Sequence, residues 1–307
     1  MKTTKHMTIR QKLNTEKAAG IVCTMPFIVG FLAFMIIPMC ISLYYSFCDY
    51  NILQPPTFTG WANFKRMFSD ATFYQSLVVT FKFAIISVPL RLIFALIVAL
   101  LLFKSTKMTG VYRALYYLPS IIGGSVAVAI LWKRLFAVDG LVNKLLMVFG
   151  MKEPVAWLGD TRTAIWTLII LAVWQFGSSM LIFLSAMKQI PPELYEAARV
   201  DGASEFRTFW QISLPLLAPG IVTTALFTIV ATWNNYFLPL IMLKDADWYP
   251  LTIGLNQWKD QASTAGGQAI QNLVITGSLI TIIPLVIAFL CLQKYWQSGL
   301  AAGAVKE

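Results

Sequence analysis

The chain is predicted to be all-α, a polytopic membrane protein with six transmembrane helices and both termini cytoplasmic. Three observations carry that expectation. Of its 307 residues 58% are hydrophobic and only 12% charged, against roughly 25% charged in soluble domains. The mean hydropathy is +0.69. Six apolar stretches, near 19–46, 76–103, 113–135, 163–187, 216–243 and 270–293, each reach the roughly 20 residues that a hydrocarbon core requires. An even number of spans returns the chain to the side from which it started.

Residues 1–18 form a basic tail with Lys2, Lys5, Arg10, Lys12 and Lys17. The apolar run that follows, 18–45, is longer than the core of a signal peptide and lacks a small-residue cleavage site, so it reads as a retained first span with its tail held inside. The membrane domain then covers 19–293, and 294–307 forms a second cytoplasmic tail. The net charge of +10 is scattered over tails and loops. That pattern suits lipid headgroups beside a bilayer and excludes a nucleic-acid stripe. Cys23, Cys40, Cys48 and Cys291 sit in or beside apolar runs without metal spacing and read as buried free thiols. His6 is the only histidine, so no metal site is expected.

In the first outer segment, 47–75, Trp61, Phe64 and Phe68 fall at helical spacing, as in a short interfacial helix with an aromatic face toward lipid. Leu141, Leu145 and Val148 make a similar stripe in the second. The third, 244–269, is polar with aromatics and faces either solvent or an external partner. Lys82 lies close enough to the outer end of its span to snorkel. Arg91 sits mid-span, where a guanidinium is costly unless it faces water or a partner. It either lines the pathway, binds an acidic group on the solute or pairs across a subunit interface.

Other polar groups inside the spans mark a candidate substrate pathway. They are Trp174 and Gln175 beside Ser178 and Ser179, then Trp233, Asn234, Asn235 and Tyr236, and finally Asn272 and Thr276 near Thr281. Amides and hydroxyls beside aromatic rings suit a neutral polyhydroxylated solute. Interhelical hydrogen bonding is the alternative use of the same groups. Ser120, Gly123, Gly124 and Ala127 form a small-residue face for close helix packing. No predicted span contains Asp or Glu, which argues against the alternative of an ion-coupled secondary carrier acting alone. The chain also lacks a GxxxxGK[ST] phosphate loop, so it is not expected to bind ATP by that route. Without paired acids, histidines or a nucleophile triad it is not expected to be an enzyme or to bind a cofactor itself. Its driving energy must come from outside.

The most polar stretch, 188–215, is the place to receive that energy. It holds Glu193, Glu196, Asp201 and Glu205 between two apolar runs. Pro191 and Pro192 suit a helix start, residues 194–200 read as a short helix, and Gly202 can take the left-handed conformation that ends it. Ser204 can cap a second helix over 205–212, with Pro215 as its stop. Glu196, Ala197, Ala198, Gly202, Ile212, Leu214 and Pro215, at their spacing, resemble the EAA loop of permease subunits in bacterial binding-protein-dependent ABC importers.

The resemblance extends to the sugar branch of these importers, of maltose and multiple-sugar type. SLYYSFCDYNILQPPTFTGWANFKRMF and LWKRLFAVDGLVN look like the larger maltose-transporter permease. TWNNYFLPLIML, YPLTIGL and the ending GLAAGAVKE look like its partner. The resemblance implies a type I ABC importer permease fold that pairs with a second permease, different or identical. It also implies an ABC ATPase dimer that consumes ATP and Mg, an extracellular solute-binding protein, and a bacterial cytoplasmic membrane location. Glu193, Glu196, Ala197, Ala198, Asp201, Gly202, Ile212, Leu214 and Pro215 would then couple the permease to the ATPase.

Overall fold

The structure, a computed structural model, describes residues 16–51, 54–103, 107–160, 162–264 and 268–304. The chain divides into two compact units, Met1–Met67 with Gln261–Leu279 and Phe68–Asp260 with Ile280–Glu307. Among the described residues four helices are long and apolar enough to cross a membrane, over Gly20–Ser46, Ala71–Leu101, Glu205–Trp233 and Asn272–Tyr295. Two further helix pairs meet that test only together, because each is bent.

In the first unit, α1 (Glu16–Phe31) passes through a π-helical turn (Leu32–Ile36) into α2 (Ile37–Ser46). The wide turn has a local cause. Pro38 lacks an N–H, and its ring would meet the carbonyl four residues back, so the ladder slips to i→i−5. That slip appears as the Ile37 N–H donating to the Leu32 carbonyl. A two-stranded antiparallel hairpin follows, β1 (Cys48–Asn51) with β2 (Gln54–Phe58), and Cys48 opposes Phe58. It is a small departure from the all-helical expectation.

Asn63, at the start of α3 (Ala62–Phe68), donates to the carbonyls of Ser46 at 2.9 Å and Cys48 at 2.8 Å. Those bonds satisfy carbonyls left open where α2 ends. Phe64 and Trp61 lie 5.0 and 5.2 Å from Phe47. Part of the aromatic face expected to meet lipid is therefore packed within the unit. The cysteine expectation also needs correction: Cys48 is buried, but Cys23, Cys40 and Cys291 are exposed. They lie on outward faces of helices whose natural surroundings are apolar.

The second unit is built on α4 (Ala71–Leu101), capped by Asp70, whose carboxylate accepts from Thr72 N at 2.8 Å and Phe73 N at 3.1 Å. The third predicted span is two helices, α5 (Thr109–Ile122) and α6 (Val126–Leu135), bent by 99°. Gly123 and Gly124 interrupt the ladder, and Ser125 starts α6 by accepting from Val128 N. A short helix, α7 (Leu141–Val148), follows. Leu141, Leu145 and Val148 are exposed on it. Asn143 faces the other way and bonds the Val138 and Val155 carbonyls and the Trp157 indole N–H.

The fourth span is likewise broken, into α8 (Ala164–Trp174) and α9 (Gly177–Lys188), bent by 40°. The elbow follows as α10 (Pro192–Val200) and α11 (Glu205–Thr208). A second π-helical turn (Phe209–Ser213) then leads into α12 (Leu214–Trp233). Pro215 therefore does not stop a helix. As at Pro38, the preceding turn widens, with Leu214 N on the Phe209 carbonyl, and the helix continues into the membrane.

The fifth span ends at Trp233 rather than 243, and α13 (Phe237–Met242) follows after a break. The 244–269 segment is not a free loop. It contains α14 (Leu251–Thr264), whose Leu251 N–H donates to Thr80 Oγ1 of α4 at 2.8 Å and whose Trp258 lies beside Phe73. Lys82 is placed over the ring of Trp248, 5.1 Å from its centroid. The last helix, α15 (Gln268–Ala304), runs past the boundary expected at 293.

Two buried apolar clusters lie along α4. One gathers Val79 and Phe83 with Val128, Ile165, Leu168 and Met242. The other gathers Ala95, Val98 and Ala99 with Met180, Phe183 and Leu217. Between them on α4 come Ser87 and Arg91.

Candidate functional site: a polar layer and an exposed elbow

The breaks in α5/α6 and α8/α9 free backbone groups that an unbroken helix would have paired. In the second unit these groups meet side chains between the two apolar clusters. Ser120 Oγ donates to the Gln175 carbonyl at 2.9 Å and accepts from Ser178 N at 2.9 Å. One hydroxyl thus satisfies both sides of the α8/α9 break. Arg91 Nη2 donates to Ser178 Oγ at 3.3 Å. Arg91 Nε is buried with no acceptor among the described residues, as are Ser87 Oγ one turn earlier and Trp132 Nε1. Trp132 packs at a tilt against Trp174, with centroids 5.2 Å apart.

Gly177 is fixed by close approach at this layer. A Cβ there would lie 2.7 Å from Tyr117 Cα and would collide with the Tyr116 carbonyl of α5. The structure thus brings Arg91, Trp174 and Gln175 into one region with Ser120 and Ser178, which sequence reasoning had given to packing. Gln175 Nε2 itself turns back to the Leu171 carbonyl.

Trp233, Asn234, Asn235 and Tyr236 occupy the α12–α13 break. Trp233 Nε1 donates to the Thr281 carbonyl at 3.1 Å, and Asn234 Nδ2 to the Val230 carbonyl at 2.9 Å. The Asn235 carbonyl accepts from Thr252 Oγ1, and Tyr236 OH accepts from Asn256 Nδ2 at 2.7 Å. This run therefore anchors α14. Asn272 and Thr276 belong to the other unit. Asn272 Nδ2 donates to Asp49 Oδ1, Asn272 Oδ1 accepts from Tyr50 N, and Thr276 Oγ1 donates to the Asn272 carbonyl.

The elbow is a complete Schellman turn. Gly202 N donates to the Arg199 carbonyl at 3.1 Å and Ala203 N to the Ala198 carbonyl at 2.9 Å, with Gly202 at φ +72°. Ser204 then caps α11, accepting from Arg207 N. Ala198 is buried, and Tyr195 OH accepts from Ser213 Oγ at 3.3 Å, tying α10 to the π turn. Glu193, Glu196, Ala197 and Asp201 are exposed, Ile212 and Leu214 are half-buried and Pro215 is exposed. Val200 and Phe206 are 87% and 74% exposed, and Trp210 is exposed beside them. A cavity of about 600 Å³ opens under the elbow, lined in part by Phe103, Lys188, Tyr195, Arg199 and Glu205.

Sequence reasoning missed one further feature. Lys133, Arg134 and Lys244 line, with Trp157 and several apolar residues, a cavity of about 410 Å³ at the end of α6. The basic pair at 133–134 was visible in the sequence, but Lys244 reaches it only through the fold.

A family model described as the binding-protein-dependent transport system inner membrane component matches residues 77–301. The chain belongs to this family. It is thus a multi-pass transport subunit, a class that is generally not enzymatic. The probable ABC transporter permease protein YesP of Bacillus subtilis (strain 168) is 45% identical over 242 residues, which are 78% of each chain. The trehalose/maltose transport system permease protein MalF of Thermococcus litoralis is 34% identical over 210 residues, 67% of this chain and 70% of its own. The crystal structure of a bacterial ABC transporter that imports the acidic polysaccharide alginate shares the fold. Its TM-score is 0.76 at 20% identity, over 92% of this chain and 96% of that one.

Proposed function

We propose that this permease is the membrane subunit of an ATP-driven carbohydrate importer, with its N- and C-terminal tails in the cytoplasm of a bacterial cell. It forms the translocation pathway beside a second permease, receives solute from an extracellular binding protein and is driven by a separate ATPase dimer. The observation that carries this reading is the elbow. A rigid helix–turn–helix leaves Val200, Phe206 and Trp210 exposed beside Glu196 and Asp201, a surface suited to another protein rather than to lipid alone. The carbohydrate class is supported by relatives named for starch degradation products, lactose and trehalose/maltose.

Glu196→Lys and Gly202→Pro test the coupling. Proline fixes φ near −65°, incompatible with the +72° of this turn. In cells, both variants are expected to reach wild-type levels in the membrane and to lose ATP-dependent sugar uptake. They should also lose co-purification of the ATPase. Uptake at the wild-type rate with either substitution would refute the coupling role.

A further inference from the structure

A guanidinium carries five donors in a rigid fork whose natural complement is a carboxylate. Among the described residues Arg91 makes one hydrogen bond, the 3.3 Å contact to Ser178 Oγ. Its Nε is buried without an acceptor among the described residues. Of the chain's fourteen acids, only Glu205 lies in one of the four membrane-length helices, as the first residue of Glu205–Trp233 at the elbow. The nearest in sequence on α4 is its own cap, Asp70, roughly 30 Å away at 1.5 Å per residue. Among the described residues no carboxylate is paired with Arg91. Arg91, Ser120, Gln175 and Ser178 are all only half-buried, so the layer is partly open, although Arg91 Nε itself is covered. A charge so placed does not face hydrocarbon without a large penalty.

The cavity at the end of α6 adds an independent observation. Lys133, Arg134 and Lys244 line it together with Trp157, and Lys133 Nζ donates to the Ile241 carbonyl at 3.4 Å. Arg134 pairs with Asp139 at 3.4 Å, but both side chains are exposed and the pair is correspondingly weak. An aromatic face among cations suits a ring with an apolar C–H face and an anionic substituent.

Building on the carbohydrate-importer reading, we propose that the transported saccharide bears a carboxylate, as a uronic acid does. Arg91 is the group that receives this carboxylate within the membrane, and the Lys133–Arg134–Lys244 cavity attracts it beforehand. Cations lining a route select anions by field as well as by contact.

The test uses the complete transporter in liposomes: both permeases, the ATPase and the binding protein. Neutral disaccharides are compared with the same disaccharides oxidised at C6 to the carboxylate. The wild type is expected to accumulate the oxidised members at least about tenfold faster. Arg91→Gln should remove that preference, a loss of about tenfold or more for a charged hydrogen-bonded contact. Arg91→Lys, which keeps the charge but not the fork, should retain part of it. Preferential uptake of the neutral members would overturn the inference while leaving the importer reading intact. Equal losses for both kinds in Arg91→Gln, or loss of the second permease from the purified complex, would also overturn it, since Arg91 would then be matched by a carboxylate of that subunit. If neither kind enters with ATP present, the importer reading itself fails.

Discussion

The elbow and the polar layer are both short runs of polar groups in an apolar chain, but they are built in opposite ways. Every bond that shapes the elbow is local: the Schellman pair at Arg199 and Ala198, the Ser204 cap and the 18-residue reach from Ser213 to Tyr195. The polar layer joins residues 55, 58 and 87 positions apart. It exists only when α4, α5 and the α8/α9 pair stand in register. A local device can be carried as a rigid piece while the helices around it move. A layer of interlocking breaks is remade or lost as those helices shift. The elbow therefore suits transmission, and the layer suits the part of the pathway that changes shape.

The sharpest way to break that contrast is Gly177→Val. With α5 backbone already where a Cβ would go, the side chain can fit only if α5 and α9 separate. Overpacking of this kind costs about 3 kcal/mol or more. The variant is expected to lose thermal stability in detergent and to reach the membrane at reduced level. Ser120→Ala comes next. It removes the donor to the Gln175 carbonyl and the acceptor of Ser178 N, and leaves two break-site groups unpaired. The expected cost is about 2 kcal/mol, read as a lower melting temperature with the fold retained. A wild-type melting temperature in Ser120→Ala would mean that water or a second permease already serves those groups.

The same division explains what the sequence allowed to be read. The elbow was legible because its causes lie within it: prolines at a helix start, a glycine able to reach φ +72°, and a serine three residues before the N–H it caps. The spans were legible as apolar lengths, but their breaks were not. Gly123–Gly124 looked like a packing face because a small residue serves both close approach and interruption. At Gln175–Phe176 the nearest breaker is the Gly177–Ser178 pair that follows, and such small residues serve close packing in membrane helices equally well. Pro215 was legible as a missing N–H, though not as a π turn that lets the helix run on. The acceptor of the Leu251 N–H is a threonine 171 residues away, and no periodicity in 244–269 announces it. Arg91 stood out as a mid-span charge, but its half-satisfied state is a property of neighbours brought from three other helices.

Gly202→Ala probes the elbow as Gly177→Val probes the layer. Nothing lies within 4 Å of a Cβ at Gly202, so the penalty is that of the left-handed backbone alone, roughly 1–2 kcal/mol. It falls on one exposed turn. Global melting is expected to stay near wild type while ATP-driven uptake drops severalfold, because the angle between α10 and α11 is relaxed. A fall in melting temperature as large as that of Ser120→Ala would show that the elbow is not an independent piece.

Ser204→Ala carries the smallest effect and tests how local the elbow is. Its hydroxyl accepts from Arg207 N at 3.3 Å, and the Ser204 carbonyl separately accepts from Thr208 Oγ1 at 3.0 Å. The substitution removes the first bond and leaves the second. Loss of a serine cap costs about 1 kcal/mol, here confined to the first turn of α11. The Schellman turn and the π turn on either side of that helix are untouched. Hydrogen exchange is therefore expected to quicken at Arg207 and its neighbours, with uptake reduced by less than the Gly202 substitution reduces it. Ser204→Asp restores an acceptor beside the positive end of the helix and should return exchange to the wild-type rate. Quickened exchange spreading into α12 would mean that the cap supports the membrane helix through the π turn, joining the elbow to the span it was argued to move against.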